Sequence, residues 1–387
     1  MNVVCTGISK CDKMDYFKET QEFSNQLHEE GKGTGVDIEL YSIGDIMKDC
    51  LGPNTTVNKH ILNKDDDQLS AAAGEAIKTL KIKLLEDKIA GKEETHNIIS
   101  THTTFIWQNH WKDSYNEQFL EILEPDLFVT IMEHEKRIQE RQHKDPQWKL
   151  QKLDLPSIAL WQDREVRETE KWAKRFGKRH VVFGRNQDPE SLYKVINFPK
   201  APIIYSNFPM TFLENVKESY AKITENNLEM MKYGTVIDPR TIEIMKPGEG
   251  GDYSYSEIEQ QMKEIIDNKL GNNKRLNKLE QLVQKQLEHK KNTEIDIIKR
   301  LTVHRDLDFY VNNVDVDVLY FPELVLSFGG VAEIIKAYRS AKETHLIFPE
   351  GATKVGPFEV YHSLNYFFGR DSYHEFLKER FEPLNLY

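Results

Sequence analysis

The sequence predicts an α/β protein made of two doubly wound parallel-sheet domains in tandem, residues 1–198 and 199–387. Three observations carry that expectation. A chain of 387 residues is long for one domain and comfortable for two. Short β-branched runs alternate with helical apolar patterns in both halves, which implies mostly parallel sheets covered on both faces. The two series are separated by FPKAP at 198–202, a linker with two prolines around a lysine.

In the first half VVCTGI (3–8) reads as a buried strand. Residues 14–30 follow as a helix with apolar positions at Tyr16, Phe17, Phe23 and Leu27. VDIELYSI (36–43) is the next strand and 70–89 the next helix. IISTHTTF (98–105), DLFVTI (126–131) and HVVFG (180–184) complete the strands. Residues 133–177 are charged and helical and carry Arg137, Arg141, Arg164 and Arg167; with little apolar surface they read as a solvated helical hairpin.

In the second half IIYSNFPMT (203–211) and GTVIDP (234–239) are strands running into turns. Residues 247–274 open with PGEGGDYSYS and hold GNNK, the composition of a mobile polar insertion around one short helix. A long polar helix is expected over 276–301, a strand at VDVLYFP (316–322), a helix over 331–341, and a last strand at THLIFPEG (344–351). No internal repeat at a fixed period argues for a solenoid.

Composition narrows the function classes. The chain is 39% hydrophobic and 30% charged, as soluble globular proteins are. No stretch approaches the roughly 18 uninterrupted apolar residues of a membrane helix. MNVVCTGIS has no basic segment followed by an apolar core, so a cytoplasmic protein with no membrane partner is expected. The formal net charge of −11 argues against bulk nucleic-acid binding, which needs a basic surface. A small-molecule nucleotide or nucleoside is the expected partner, in a homo-oligomer. Cys5, Cys11 and Cys50 form no CxxC pair, so reduced thiols are expected rather than disulfides or zinc. His102 and His110 flank Trp107, and Glu133-His134-Glu135 forms a second cluster; neither has metal-binding spacing, so no metal centre is expected and these read as packed or surface histidines.

A phosphate loop needs a strand, a glycine-rich turn and a helix N-terminus, with a lysine for the outer phosphates and a hydroxyl for Mg²⁺. Here Gly7 ends the strand and Lys13 follows at the right spacing, but Asp12 replaces the second glycine and Met14 the hydroxyl residue. An aspartate in an anion cradle repels phosphate, and a thioether is a poor ligand for a hard cation. Together with YSIGDIM (41–47), STHTTF, EPDLFVTI, the arginine-bearing stretch and HVVFGRNQDP, the first half resembles the archaeal adenylate kinase-like branch of P-loop nucleotide kinases. That resemblance implies that Gly7, Lys13, Gly44, Arg137, Arg141, Arg164 and Arg167 contact a nucleotide, with ATP or Mg²⁺ as a possible cofactor. The departures favour binding over phosphoryl transfer.

The sharper pattern lies in the second half. Asp317 opens a strand, Ser327 and Gly329 carry a short loop, and Glu333 stands sixteen positions after Asp317 at the start of a helix. In a doubly wound sheet ligands sit at the carboxyl ends of the strands. A carboxylate there can stabilise or attack a sugar carbon that gains positive charge as an N-glycosidic bond breaks. A glutamate in a first helical turn is also favoured by the helix dipole alone. Asp315 competes for the strand acid, because alternation puts it on the same face as Asp317.

With IIYSNFPMT, TVIDPRTI and the run from VHRDLDF to FEVY, residues from about 202 to 368 are similar to the nucleoside 2-deoxyribosyltransferase superfamily, including its nucleotide N-glycosidase branch. The resemblance implies Glu333 as nucleophile or electrostatic partner at the anomeric carbon and Asp317 on a sugar hydroxyl or the leaving base. It implies substrate contacts from Tyr205, Ser206, Asp238, Arg305, Asp306, Ser327 and Gly329. Arg305, Asp306 and Asp308 read equally well as solvated helix-start residues, and Tyr205 and Phe208 either stack on a base or fill the core.

The leading expectation is hydrolysis or transfer at an N-glycosidic bond of a nucleoside or nucleotide, with no cofactor needed for that chemistry. The first half would bind or sense a nucleotide. The alternatives are a nucleoside monophosphate kinase-like phosphotransferase and a non-enzymatic nucleotide sensor, and the halves are either coupled or merely tethered.

Overall fold

A computed structural model describes residues 1–51, 61–90, 95–114, 117–210, 216–242, 296–325, 327–353, 355–384 and 386. The expected insertion at 247–274, and the polar helix up to residue 295, lie outside the described residues. The architecture is α/β with two sheets of five parallel strands and one two-stranded antiparallel hairpin.

In the first half β1 (Asn2–Thr6) leads through α1 (Lys13–Glu29) to β2 (Asp37–Ser42), α2 (Ile43–Leu51), α3 (Asp66–Ile89) and β3 (Thr95–Ser100). Helix α1 buries Tyr16, Phe17, Thr20, Ser24 and Leu27, a one-face spacing of three and four. The expected strand at 98–105 is two elements. It leaves the sheet after Ser100 and re-forms as the hairpin β4 (Thr104–Trp107) and β5 (His110–Asp113). Gln108 and Asn109 turn that hairpin at φ 52° and 61°, the left-handed pair that a tight two-residue hairpin turn requires.

After a short α4 (Leu120–Leu123) come β6 (Leu127–Met132), α5 (Glu135–Lys144), α6 (Leu155–Phe176), β7 (Arg179–Gly184) and α7 (Pro189–Asn197). The sheet runs β2-β3-β1-β6-β7. The expectation of a solvated hairpin over 133–177 is corrected here. Asp154 caps α6 through Ser157 N (2.9 Å), and the helix buries Ile158, Trp161, Glu165, Val166, Thr169 and Trp172 against the sheet. Polar residues on its buried stripe conceal the apolar period.

The second half comprises β8 (Ile203–Asn207), α8 (Val216–Met231), β9 (Thr235–Ile237), a helical stretch α9 over 296–313 and β10 (Val316–Tyr320). Then follow α10 (Phe328–Arg339), β11 (Glu343–Phe348), α11 (Pro357–Tyr361), β12 (Asn365–Phe368) and α12 (Arg370–Arg380). Within α9, Arg305–Tyr310 forms a π-helical turn. The strand at 344–351 is therefore not the last: β12 and α12 follow. NYFF alternates between half-buried and exposed positions at the sheet edge, and α12 buries Tyr373 and Leu377, so neither shows a strong apolar run.

The sheet order is β12-β11-β10-β8-β9. Numbered within this half from the other edge, that is 2-1-3-4-5, and the winding reverses between β8 and β10. In open α/β sheets ligands bind at the carboxyl ends of such a strand pair.

The two halves share one apolar core. Val182, Phe183 and Tyr193 of the first half cluster with Tyr205, Ile237, Ile242, Phe309, Tyr310, Val311 and Val314 of the second. Polar contacts reinforce the seam: the Gln187 amide donates to Val236 O (2.8 Å), His304 lies 3.1 Å from Asp163, and Arg179 pairs with Asp315.

All five tryptophans lie in the first half, at 107, 111, 148, 161 and 172, whereas Phe309 belongs to the second. Phe309→Ala removes a ring that is 3% exposed and should cost about 3–5 kcal/mol. Because the core is shared, the tryptophan-fluorescence melt of the first half should shift down with it. An unchanged fluorescence transition beside a destabilised second half would show that the core does not couple them.

Candidate functional site

A cavity of about 270 Å³ opens at the carboxyl ends of β8 and β10. Tyr205, Asn207, Phe208, Ser327, Gly329 and Glu333 stand in its wall, together with Pro209, Met210, Pro239, Phe328 and Gly330. The sequence expectation starts the helix near Val331; the structure starts α10 at Phe328, capped by the Ser327 hydroxyl, which accepts from Gly330 N (3.2 Å). Glu333 is consequently in the second turn, beyond the reach of the dipole effect that alone would favour it. It lies three and four residues after Gly330 and Gly329, so all three share one helix face, the face on the cavity.

Gly330 is required by close approach. A Cβ there would come within 2.8 Å of Leu319 Cδ1 and 3.0 Å of Asn207 Oδ1. The Asn207 amide donates to Gly330 O (3.0 Å) and ties the end of β8 to the start of α10.

Asp317 is buried in β10, opposite Tyr205 in the strand register, one side-chain layer below Asn207 opposite Leu319. It is not on the cavity wall, so the expectation of direct contact with sugar or base is corrected. Neither carboxyl oxygen has a hydrogen-bond partner among the described residues, and neither does Asn207 Oδ1. Burial pushes the Asp317 carboxyl up to about 8, with the Asn207 amide pulling weakly the other way. The raised value favours the protonated carboxyl at neutral pH. Asp315 sits at the opposite end of the strand, where it accepts from Ile203 N (2.8 Å).

Tyr205 is almost fully buried and stacks on Tyr310, with ring centroids 5.7 Å apart. Burial keeps its phenol protonated, and the charges of Glu333 and Asp306 act in the same direction. Behind it Arg305 and Asp306 form a buried ion pair (2.9 Å) in the π-helical turn. They are neither solvated nor on the cavity wall; burial raises the Asp306 carboxyl while Arg305 opposes it.

Ser206 faces away, its hydroxyl on Asn227 Oδ1 (2.6 Å). Asp238 caps the turn that carries Pro239 and binds Arg240 Nε (3.0 Å). Sequence reasoning missed Asn207 as the floor of the cavity and Pro239 as a wall. The signal for Asn207 is an amide ending the strand at which the winding reverses.

A larger cleft of about 410 Å³ lies at the carboxyl ends of β1, β2 and β3, and Lys13 and Gly44 line it. Gly7 has φ 150°, and a Cβ there would meet Ile131 O at 2.8 Å. Its N–H donates to Glu165 Oε1 (3.2 Å), as does Thr103 N (3.0 Å), while Thr104 N donates to Oε2 (3.1 Å). Burial raises the Glu165 carboxyl, and these donors counter it.

Lys13 is buried and turns back onto Gly7 O (2.7 Å), with His102 Nε2 at 3.1 Å. Burial, then the Lys13 charge, hold the His102 imidazole well below its usual range, so it is neutral. The expectation of an ordinary packed or surface histidine gives way to one that lines a cleft.

Arg141 reaches the loop and binds Asp12 (2.8 Å), Glu133 (3.0 Å) and Lys10 O (3.1 Å). Arg137 bonds Asn186 Oδ1 (3.0 Å). Arg164 stacks on Trp111 and Arg167 covers Phe309 at the seam between the halves; neither joins the cleft wall. The loop does not fit a Mg²⁺–ATP complex: its first amide serves a carboxylate, its lysine is folded back, and Met14 offers no oxygen.

Asp317 also makes a stability prediction. Its folded value of about 8 is raised above the unfolded value of about 3.9. Its favourable contribution is therefore complete at low pH and is lost as pH rises toward about 8. Asp317→Asn, permanently neutral, should gain on the parent by roughly 3–4 kcal/mol between about pH 5 and pH 8. Parallel stability–pH curves for the two proteins would contradict a protonated Asp317.

No protein-family model matches the chain, and a search of curated proteins finds no match to it, so the functional reading rests on the site's own chemistry.

Proposed function

We propose that the second half cleaves or transfers at the N-glycosidic bond of a nucleoside or nucleotide, with Glu333 as the carboxylate at the anomeric carbon. The observation that carries this reading is the place of Glu333: half-buried, on the wall of a cavity at the point where the winding of the sheet reverses.

As the bond to the base breaks, positive charge grows on the sugar carbon, and a carboxylate beside it either stabilises that charge or forms a covalent sugar ester. Water or an acceptor base then takes the sugar. Tyr205 brings a phenol that burial keeps protonated to the same cavity, a hydrogen-bond donor to sugar or base. Phe208, Phe328, Met210 and Pro239 give the apolar surface that a flat base needs. Asp317 acts through Asn207, as a positioning residue. Similarity to nucleoside 2-deoxyribosyltransferases and to P-loop nucleotide kinases is the finer fold reading that accompanies this proposal. The shared core supports regulation of this site by a ligand in the first half.

Glu333→Gln keeps shape and hydrogen bonding while removing the charge. Base release from a panel of nucleosides and nucleotides, followed by chromatography, should fall by about 10²–10³-fold with the fold intact. A folded Glu333→Gln protein with full activity would remove Glu333 from the chemistry.

A further inference from the structure

We propose that the cleft of the first half holds an uncharged molecule of nucleoside size, a flat ring bearing hydroxyl groups and no phosphate. The proposal rests on reading the first half as a ligand-binding one and is independent of the reaction in the second.

The cleft has the volume and the mixed lining of a small-molecule site. Ile43, Met47, Leu62, Phe105 and Trp148 form apolar and aromatic surface. Ser9, Ser100 and Thr101 bring hydroxyls, and the neutral His102 ring adds a polar edge.

What the cleft lacks, among the described residues, is an unengaged cation. Lys10 pairs with Asp145 (2.6 Å) and Lys48 with Asp45 (2.6 Å). Lys13 spends its ammonium on Gly7 O and His102. At the loop, Arg141 is held by Asp12 and Glu133. The loop amide of Gly7, with those of Thr103 and Thr104, is committed to Glu165. The chain thus supplies its own carboxylates to Lys10, Lys48, Arg141 and the Gly7 amide, and its own carbonyl and imidazole to Lys13. A neutral ligand uses the same cleft without breaking any of these pairs.

The test is tryptophan-fluorescence titration of the full chain, since Trp148 lines the cleft and the second half contains no tryptophan. Adenosine, guanosine, cytidine and thymidine are compared with their 5′-monophosphates and with Mg²⁺–ATP. At least one nucleoside should bind roughly tenfold or more tighter than its own monophosphate. In Asp12→Asn, which removes one of the two carboxylates that hold Arg141, that preference should narrow or reverse. Tighter binding of a monophosphate or of Mg²⁺–ATP to the unaltered chain would overturn the proposed ligand class and leave the first half a binding domain. A chain that responds to no nucleoside at millimolar concentration would overturn both. An Asp12→Asn protein that melts like its parent yet keeps the full preference would show that the self-paired carboxylates do not set it.

Discussion

The stack of Tyr205 on Tyr310 is the contact on which the candidate site depends. Tyr205 belongs to β8, one of the two strands at the reversal of winding, and Tyr310 to the π-helical turn that follows the residues left undescribed. Their neighbours Phe309, Val311 and Val314 continue the same core into β7 and α7 of the first half. A π turn places one more residue in a turn than an α-helix does, and such turns are frequent at functional sites. Here it turns Arg305 and Asp306 inward as a buried pair behind the Tyr205 phenol. Truncating one member of such a pair leaves an uncompensated buried charge.

Carboxyl groups do different work according to their surroundings. Glu333 is half-buried on a cavity wall, Asp317 is buried and protonated, Asp12 is neutralised by Arg141, and Glu165 is wrapped by backbone donors. The net charge of −11 therefore says little about either site. In the second half burial raises the Asp317 carboxyl beneath the cavity, while Glu333 stands on its wall. In the first half two acids engage the loop after β1, Asp12 through Arg141 and Glu165 through the Gly7 amide.

Much of the fold was legible in the sequence because strands buried on both faces read as continuous apolar runs. DLFVTI anticipates β6, in which every residue is buried, and VDVLYFP anticipates β10. Helix α6 was not legible, since Gln162, Glu165 and Thr169 interrupt its buried face. Strand β12 was hidden by its edge position. At the site, Ser327, Gly329 and Glu333 could be named from the loop-to-helix pattern, and Tyr205 from the resemblance at its strand. Contacts across long sequence separations could not: Glu165 meets Gly7 from 158 positions away, and Arg167 reaches His304 rather than the loop. The depth of Asp317 was equally hidden, because alternation gives the face of a strand and not the layer.

The central claim is that a sugar sits against Glu333 at the reversal of the second sheet. The most direct test is a crystal structure of the Glu333→Gln chain soaked with a nucleoside, in which the charge at position 333 is gone but the cavity keeps its shape. The account predicts density between Asn207 and Gly329, with the anomeric carbon beside the side chain at position 333. A cavity that stays empty at saturating nucleoside, or a sugar bound with its anomeric carbon turned away from that side chain, would contradict it.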